Sequence, residues 1–245
     1  MVTRRSTAAL SAGATPRVAL VILAAGSSRR AETVTNKVLL PLAGRPVVTW
    51  SLEWATGVLD LETTLVVCRG DEMGTMRAVL DREAPERRIE LVEGGQTRHG
   101  SEYAALVALR DRITSGAVDV VVIHDSARPL AAPRLFADVV EVARAHGGAL
   151  PALPLPAVVY AEGRRPTGEL VGVQTPQAFL AEELLSAYDR AEMEGFDGTD
   201  TAASFERFGG RRVHTVLGDP RNMKITFPED LFVAERILAD NHGRL

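Results

Sequence analysis

Short apolar runs rich in β-branched residues alternate with segments of helical periodicity along most of this chain. The predicted strands are residues 18–23, 64–68, 89–93, 118–124, 149–154 and 212–216. The predicted helices are residues 46–55, 71–82, 100–113, 133–146, 181–194, 199–208 and 228–241. This alternation predicts an α/β fold with a mostly parallel sheet and helices on both faces. In such sheets ligands bind at the carboxyl ends of the strands.

One segment, residues 154–177, does not fit the alternation because it is rich both in strand-forming and in turn residues. It predicts a protruding β-hairpin arm. The chain has 245 residues, 46% of them hydrophobic, which is enough for one sizeable domain; we assign it to residues 17–241. Residues 1–16 are small, polar and basic and lack the apolar stretch of a signal peptide, so we expect a disordered tail.

Composition argues against several kinds of partner. A formal net charge of −4 does not suit a general nucleic-acid surface. No apolar run is long enough to cross a membrane. Cys68, the single cysteine, lies in the apolar run 64–68 and is expected to be a core thiol. A disulfide framework and a thiolate metal site are therefore excluded, and a reducing cytoplasmic location is expected.

The first predicted strand leads into a loop of small residues that is followed at once by positive charges. Residues 24–28 read Ala-Ala-Gly-Ser-Ser, and their small side chains let a ligand approach the backbone N–H groups. Arg29 and Arg30 follow directly, and Lys37 comes seven residues later. The loop matches neither the P-loop nor the dinucleotide-binding pattern. We interpret it as a polyphosphate site; the alternative is an ordinary strand-to-helix turn with a solvated basic edge.

A second group of polar residues ends the strand at 118–124. Asp125 follows this strand and is placed to hold a divalent cation, and Arg128 is placed to meet an anion on the same rim. The alternative is an aspartate that caps the next turn. We interpret His124 as structural, because the histidines of this chain have no metal-ligand spacing.

Two further segments add polar groups at the same edge of the predicted sheet. Gln96, Arg98 and Ser101 lie near the start of the helix at 100–113, where they are suited to contact a base or a phosphate. Lys224 lies just before the last predicted helix. A lysine in such a position is usually exposed and idle, but here three other loops are suited to phosphate.

Six blocks of residues, in order along the chain, resemble a known family. They are Ala-Ala-Gly-x-x-Arg-Arg at 24–30, the lysine at 37, Gly-Gly-x-x-Arg-x-x-Ser at 94–101, His-Asp-x-Ala-Arg-Pro at 124–129, Thr-Pro-Gln-x-Phe at 175–179 and Asn-x-Lys-Ile-Thr at 222–226. Together they resemble the 2-C-methyl-D-erythritol 4-phosphate cytidylyltransferases and the related ribitol-5-phosphate cytidylyltransferases. The resemblance extends over about residues 17–240.

This resemblance implies a single nucleotidyltransferase domain with a Rossmann-like sheet. It implies transfer of CMP from CTP to a polyol phosphate with release of pyrophosphate, the expected acceptor being 2-C-methyl-D-erythritol 4-phosphate of isoprenoid precursor biosynthesis. The implied catalytic residues are Arg30, Lys37 and Lys224, and the implied magnesium ligand is Asp125. The implied nucleotide-binding residues are Ala24, Ala25, Gly26, Ser27, Gln96, Arg98, Ser101, Ser126 and Arg128. The implied acceptor-binding residues are Thr175, Thr199 and Arg165, and the arm is expected to reach over the partner in a homodimer.

The chain departs from the family pattern at several positions. Ser28 replaces the usual glycine, Gln96 a common acid and Ser126 the usual alanine, changes that are expected to retune nucleotide binding. In the arm, Ala157-Val158 stands where the family has Asp-Thr, and Thr167 aligns with an arginine that pairs with the acceptor phosphate. Arg164 and Arg165 lie nearby as candidate replacements. The acceptor is therefore open between methylerythritol phosphate and another polyol phosphate such as ribitol 5-phosphate.

Two other functions compete with this interpretation. A glycosyltransferase that uses a nucleotide-sugar would need an Asp-x-Asp metal pair, and residues 125–127 lack the second acid. A catalytically silent dimeric homologue would not need Arg30, Lys37, Asp125 and Lys224, since folding requires none of these charges.

Overall fold

The computed structural model describes residues 17–26, 36–155 and 167–241. The strands are β1 (Val18–Leu23), β2 (Pro41–Leu42), β3 (Arg45–Pro46), β4 (Leu61–Cys68), β5 (Ile89–Glu93), β6 (Val120–Asp125), β7 (Gly148–Pro154), β8 (Val171–Val173), β9 (Gln177–Leu180) and β10 (His214–Leu217). The helices are α1 (Val47–Thr56), α2 (Met73–Glu83), α3 (Arg98–Thr114), α4 (Pro133–His146), α5 (Ala181–Met193), α6 (Thr201–Gly209) and α7 (Asp230–Asn241). One eight-stranded sheet has the order β10-β7-β9-β6-β1-β4-β5, with β8 paired to β7, and β2 and β3 form a separate hairpin.

The main sheet is mostly parallel. Strands β1, β4, β5, β6, β7 and β10 run in one direction, and β8 and β9 run against them. The predicted fold class is thus confirmed. At the centre, Leu23 at the end of β1 pairs with Val67 of β4 and with Asp125 of β6. The loops that follow these strands therefore meet at one edge of the sheet.

Helices cover both faces of the sheet and bury alternate residues of each strand. Leu20 and Ile22 of β1 pack in the core layer formed with α1, α2 and α4. Ala19 and Val21 pack in the opposite layer, formed with α3, α5 and α6. A strand that is covered on both faces needs apolar residues at every position, which is why β1 is a continuous apolar run. Helix α7 packs outside α1, against Trp50.

The segment predicted as an arm has a more complex course than a simple hairpin. Strand β8 pairs antiparallel with the end of β7, from Ala152 to Pro154. The chain then returns to the body, where Gln174 and Thr175 are buried and β9 inserts between β6 and β7. The sequence analysis did not predict β8 or β9, because strands of three and four residues carry little periodicity. Residues 156–166, the rest of the predicted arm, lie outside the described residues.

Capping residues shift several predicted boundaries. Helix α3 begins at Arg98 rather than at residue 100, because the Thr97 side chain caps it by accepting from Gly100 N. Helix α6 begins at Thr201 rather than at residue 199, because Asp200 caps it. Strand β6 includes Asp125. Along the part of the chain that the structure describes, no helix has the length and apolar character needed to cross a membrane.

Candidate active site

A cavity of about 340 Å³ opens at the carboxyl edge of the sheet. Its lining residues are Leu23, Ala24, Ala25, Gly26, Lys37, Val38, Gly95, Gln96, Thr97, Arg98, Ser101, Asp125, Ser126, Ala127 and Lys224. Three of the described lining side chains are cationic and one is acidic, so the cavity carries a net positive charge. The volume lies at the small end of the range for ligand sites, and the charge suits an anionic ligand.

Many of the residues chosen from the sequence line this cavity. They are Ala24, Ala25, Gly26, Lys37, Gln96, Arg98, Ser101, Asp125, Ser126 and Lys224. Ser27, Ser28, Arg29 and Arg30 lie outside the described residues, as do Arg164 and Arg165.

The loop after β1 is held close to the start of α3 by small residues. Ala24 N donates to Val67 O at 2.7 Å, which extends β1 toward the cavity. A Cβ atom at Gly94 would lie 2.7 Å from the Ala25 Cβ and 2.9 Å from Ser101 Oγ. Glycine at 94 and alanine at 25 therefore allow the two loops to form adjoining walls of the cavity.

Lys37 is placed by the asparagine that precedes it. Asn36 is buried, and its Nδ2 donates to Ala24 O and to Glu72 Oε2, each at 2.8 Å. Its Oδ1 accepts from Val38 N at 3.3 Å and caps a short 3-10 turn that begins at Lys37. These bonds fix the backbone of Lys37 beside the Ala24 loop.

Asp125 bonds to two of the cationic side chains that line the cavity. Its Oδ1 accepts from Nη1 of Arg98, and its Oδ2 accepts from Nζ of Lys224 at 2.8 Å. Burial alone would raise the pKa of Asp125, but the charges of Arg98 and Lys224 hold this pKa well below its usual range. Asp125 is therefore ionised at neutral pH and balances part of the charge of two cations.

The segment that carries Lys224 is tied to the end of β6 and to the returning end of the arm. Ile225 N donates to Ala127 O at 2.7 Å. Asn222 is fully buried; its Nδ2 donates to Thr175 O at 2.9 Å, and its carbonyl oxygen accepts from Arg128 Nη1 at 2.8 Å. Lys224 therefore reaches Asp125 from a segment whose backbone is fixed.

Thr175 and His124 form a chain of hydrogen bonds that ends on the backbone of Asp125. His124 Nε2 donates to Arg128 O at 3.2 Å, so its Nδ1 is the acceptor for the Thr175 hydroxyl at 3.0 Å. The same hydroxyl oxygen accepts from Asp125 N at 3.0 Å. Burial lowers the pKa of His124 to about 4, so the ring is neutral at neutral pH. These contacts agree with the interpretation of His124 as structural.

Five of the proposed ligand-binding residues have other positions or contacts than the resemblance implies. Ser126 and Ser101 line the cavity, but the Ser126 hydroxyl donates to Leu23 O at 2.6 Å and the Ser101 hydroxyl to Thr97 O at 2.9 Å. Arg128 and Thr175 bond to the backbone and to His124 behind the cavity wall rather than lining it. Thr199 is exposed, lies before the Asp200 cap of α6 and does not line the cavity. Ligand contacts by these residues stay predictions.

The sequence analysis missed four supporting residues. Asn36 and Asn222 fix the backbone near the two lysines, and Thr97 caps α3. Glu102 is fully buried beside Arg98. Three of them had a signal in the sequence. The charge of Glu102 stands in register with the buried residues Ala105, Leu106 and Leu109 of α3. Thr97 is a capping residue type directly before the helix, and Asn222 opens the block at 222–226.

The amino-acid composition gives separate support for the two lysines. Residues 37 and 224 are the only lysines among the 28 basic residues of the chain, the others being arginine. Both lysines line the cavity. Lysine presents a compact ammonium charge, whereas arginine presents a wide planar fork. The cavity is thus the one place where this chain uses ammonium groups.

The acidic side chains limit how a metal ion would be held. Among the described residues, no group of three or more His, Cys, Asp and Glu side chains has the arrangement of a metal site. Asp125 is the one carboxylate among the described lining residues. Magnesium commonly binds through one or two carboxylates together with substrate phosphates and water. The donor set therefore fits a magnesium ion that arrives with a polyphosphate.

Comparisons with known proteins show which proteins this chain is similar to. The family model for 2-C-methyl-D-erythritol 4-phosphate cytidylyltransferase matches residues 18–240. The chain is 37% identical to the enzyme of that name from Pelotomaculum thermopropionicum, over 94% of this chain and 97% of the relative. It is 34% identical to the one from Geobacillus thermodenitrificans, over 89% of this chain and 96% of the relative. The solved structure of 4-diphosphocytidyl-2C-methyl-D-erythritol synthase from Anaerococcus prevotii superposes with a TM-score of 0.76 at 25% identity, over 92% of this chain and 97% of that one.

Proposed function

Because this chain belongs to the 2-C-methyl-D-erythritol 4-phosphate cytidylyltransferase family, we propose that it transfers CMP from CTP to 2-C-methyl-D-erythritol 4-phosphate. The observation that carries the proposal is the cavity lined by Lys37 and the Ala24–Gly26 loop, in which Arg98 and Lys224 bond to Asp125. The proposal includes a cytoplasmic location, as expected from the single buried cysteine.

In the proposed reaction an oxygen of the acceptor phosphate attacks the α-phosphorus of CTP. A new P–O bond forms, the bond between the α-phosphorus and the α–β bridging oxygen breaks, and pyrophosphate leaves with the electron pair. Such transfers depend on alignment of the reacting groups and stabilisation of charge more than on side-chain nucleophiles. A cavity lined by three cations supplies that stabilisation.

Each described residue has a role that follows from its position. The Ala24 N–H is bonded to Val67 O, so the backbone N–H groups of Ala25 and Gly26 are the ones suited to bind phosphate oxygens, and Ser27 is assigned to the same loop. Lys37 and Lys224 neutralise charge that develops on the triphosphate and at the α-phosphorus. Gln96 and Ser101 form the wall suited to cytidine. Arg30, which lies outside the described residues, is assigned the same charge-neutralising role as Lys37.

Asp125 is the proposed magnesium ligand. Bound magnesium supplies a divalent charge that lowers the cost of bringing an anionic acceptor to an anionic triphosphate. Both oxygens of Asp125 bond to cations in the structure. In this proposal a terminal nitrogen of Arg98 and Nζ of Lys224 bond to phosphate oxygens when Asp125 holds the metal ion, while Nε of Arg98 stays beside Glu102.

The acceptor site is proposed to include Thr175, Thr199 and Arg165, with the arm of a partner subunit closing it in a homodimer. The base of the arm supports this proposal because it exposes apolar side chains: Leu155, Leu170, Val171 and Val173 are each about two-fifths exposed. Pairing with a partner would cover them.

Thr167, exposed at the base of the arm, stands where family members that act on methylerythritol phosphate carry a phosphate-binding arginine.

The test is a panel of polyol phosphates, each assayed with CTP and magnesium for release of pyrophosphate. We expect the highest kcat/KM with 2-C-methyl-D-erythritol 4-phosphate. A higher value with ribitol 5-phosphate would reassign the acceptor. Absence of pyrophosphate release with every acceptor, in a protein that still binds CTP by calorimetry, would instead identify a catalytically silent homologue.

A further inference from the structure

Glu102 on α3 is fully buried and lies one helical turn from Arg98. Three side chains converge on its carboxylate. Tyr188 OH of α5 donates to Oε2 at 2.5 Å, and Thr201 Oγ1 of α6 donates to Oε1 at 2.7 Å. Arg98 Nε lies 3.0 Å from Oε1. A carboxylate in this position faces a large desolvation cost, and an apolar side chain would fill the same core position more cheaply.

Arg98 connects this buried carboxylate to the active site. Its Nε lies 3.0 Å from Glu102 Oε1 on the core side, as an ion pair without a hydrogen bond, and its Nη1 donates to Asp125 on the cavity side. The guanidinium group therefore lies between two carboxylates, and one of them is out of reach of any ligand in the cavity. We propose that Glu102 is a positioning residue, which holds Arg98 against the cavity wall so that Arg98 keeps its place when Asp125 or Arg98 engages the nucleotide.

The protonation states around Glu102 fit this role. Burial raises the pKa of Tyr188 well above its ordinary value, and the neighbouring Glu102 raises it further, so the phenol stays protonated and donates. Burial would lower the pKa of Arg98, but Asp125 and Glu102 raise it, so the guanidinium group stays charged. Burial raises the pKa of Glu102 above its ordinary value, although the charge of Arg98 opposes that rise. The hydroxyls of Tyr188 and Thr201 donate one to each oxygen of Glu102, so both oxygens accept, as they do in an ionised carboxylate.

A second cluster of the same chemistry provides the matched control. Between the same two helices, Asp189 of α5 accepts from Tyr103 OH at 3.1 Å and from both terminal nitrogens of Arg110, at 2.8 and 2.6 Å. This cluster is partly exposed and does not line the cavity. Asp189→Asn therefore disturbs a tyrosine–carboxylate–arginine contact between α3 and α5 while leaving Arg98 untouched.

The inference rests on the proposed function, so the experiment measures CTP binding directly. Calorimetry with CTP and magnesium is applied to the wild-type chain and to Glu102→Gln, Tyr188→Phe and Asp189→Asn. We expect Glu102→Gln to weaken CTP binding about tenfold, because Arg98 loses its fixed counter-charge. Tyr188→Phe should weaken it by a smaller factor, and Asp189→Asn should leave it within about twofold.

A double-mutant cycle separates positioning from general loosening of the core. If Glu102 acts through Arg98, Glu102→Gln should change CTP affinity less than about twofold in an Arg98→Ala background. Wild-type affinity in folded Glu102→Gln, or an equal loss in both backgrounds, would overturn the inference. If Glu102→Gln does not fold, the same measurements are made on Tyr188→Phe. Wild-type CTP affinity in that variant overturns the inference. A loss of affinity that is no longer seen in the Arg98→Ala background supports it. A wild-type chain that does not bind CTP would overturn the proposed function itself.

Discussion

Among single residues, Lys37 and Lys224 are those that we propose to carry the chemistry. Lys224 is bonded to Asp125, and Lys37 stands on a backbone fixed by Asn36. We expect Lys37→Ala and Lys224→Ala each to lower kcat about a hundredfold or more, because each removes charge stabilisation that is expressed in the transition state. Steady-state kinetics measures the effect. Arg112→Ala, which removes a surface ion pair with Glu90, is the control with near-normal kcat.

Lysine-to-arginine variants refine this prediction. Lys37→Arg and Lys224→Arg keep the charge but replace a compact ammonium group by a wide fork. We expect neither to restore kcat to within about tenfold of the wild type. Near-normal turnover in either arginine variant would show that the position needs only a positive charge.

Asp125→Asn tests the metal site. The substitution removes the one carboxylate among the described lining residues, so we expect half-maximal activity to require more magnesium. Asp119→Asn is the control. Asp119 pairs with Arg144 and lies just before the first residue of β6, at the opposite end of the strand from the cavity. Magnesium titrations of activity that match the wild type in Asp125→Asn would place the ion elsewhere.

His124 makes stability depend on pH. Burial lowers its pKa to about 4, whereas an unfolded histidine titrates at about 6.5. Between these values the unfolded chain binds a proton that the folded chain does not. The stabilisation associated with a neutral His124 is therefore fully present above about pH 6.5. As the pH falls toward 4, the free energy of unfolding decreases by up to about 3 kcal/mol.

Urea unfolding of wild type and His124→Gln across this window measures that contribution. The difference between their stabilities should shrink as the pH falls, because glutamine does not titrate. A difference that is constant over the window would contradict the assignment of a neutral, buried His124.

Among the helices and strands, those with a strong periodicity were predicted from the sequence. Helix α4 has the bounds that its amphipathic pattern predicts, and β1 matches its apolar run. Strand β9 was missed because four residues between a turn and a helix have no period of their own, and their pairing partners are distant in sequence. The loops of the site were predictable because their small and charged residues follow strand ends. The bonds made by Asn36 and Asn222 were not, since they depend on contacts between distant segments.

The arm is the element on which acceptor specificity is proposed to depend. Deletion of residues 160–170 should dissociate the proposed dimer and abolish activity, because the acceptor site would lose a wall supplied by the partner. Sedimentation velocity and turnover measure the two effects on the same preparation. A truncated chain that stays fully active as a monomer would contradict this role.

Arg164→Ala and Arg165→Ala test whether either arginine replaces the one that is absent at Thr167. We expect at least one of them to raise the acceptor KM more than the KM for CTP. If both leave the acceptor KM unchanged, the acceptor phosphate is held by other groups.

In the whole molecule, the fold brings five separate segments of chain to one cavity. The loops after β1 and β6, the 3-10 turn that begins at Lys37, the start of α3 and the segment before α7 each contribute a charged or backbone group. We propose that this assembly moves a CMP group intact from CTP to a polyol phosphate.

The most direct test uses CTP labelled at the α-phosphate, incubated with the full chain, magnesium and 2-C-methyl-D-erythritol 4-phosphate. Chromatography then follows the label. The account predicts that the label passes into a cytidine diphosphate ester of the acceptor, in step with release of unlabelled pyrophosphate, and that Lys224→Ala slows both equally. Label that stays in CTP, or that appears as free CMP, would contradict it.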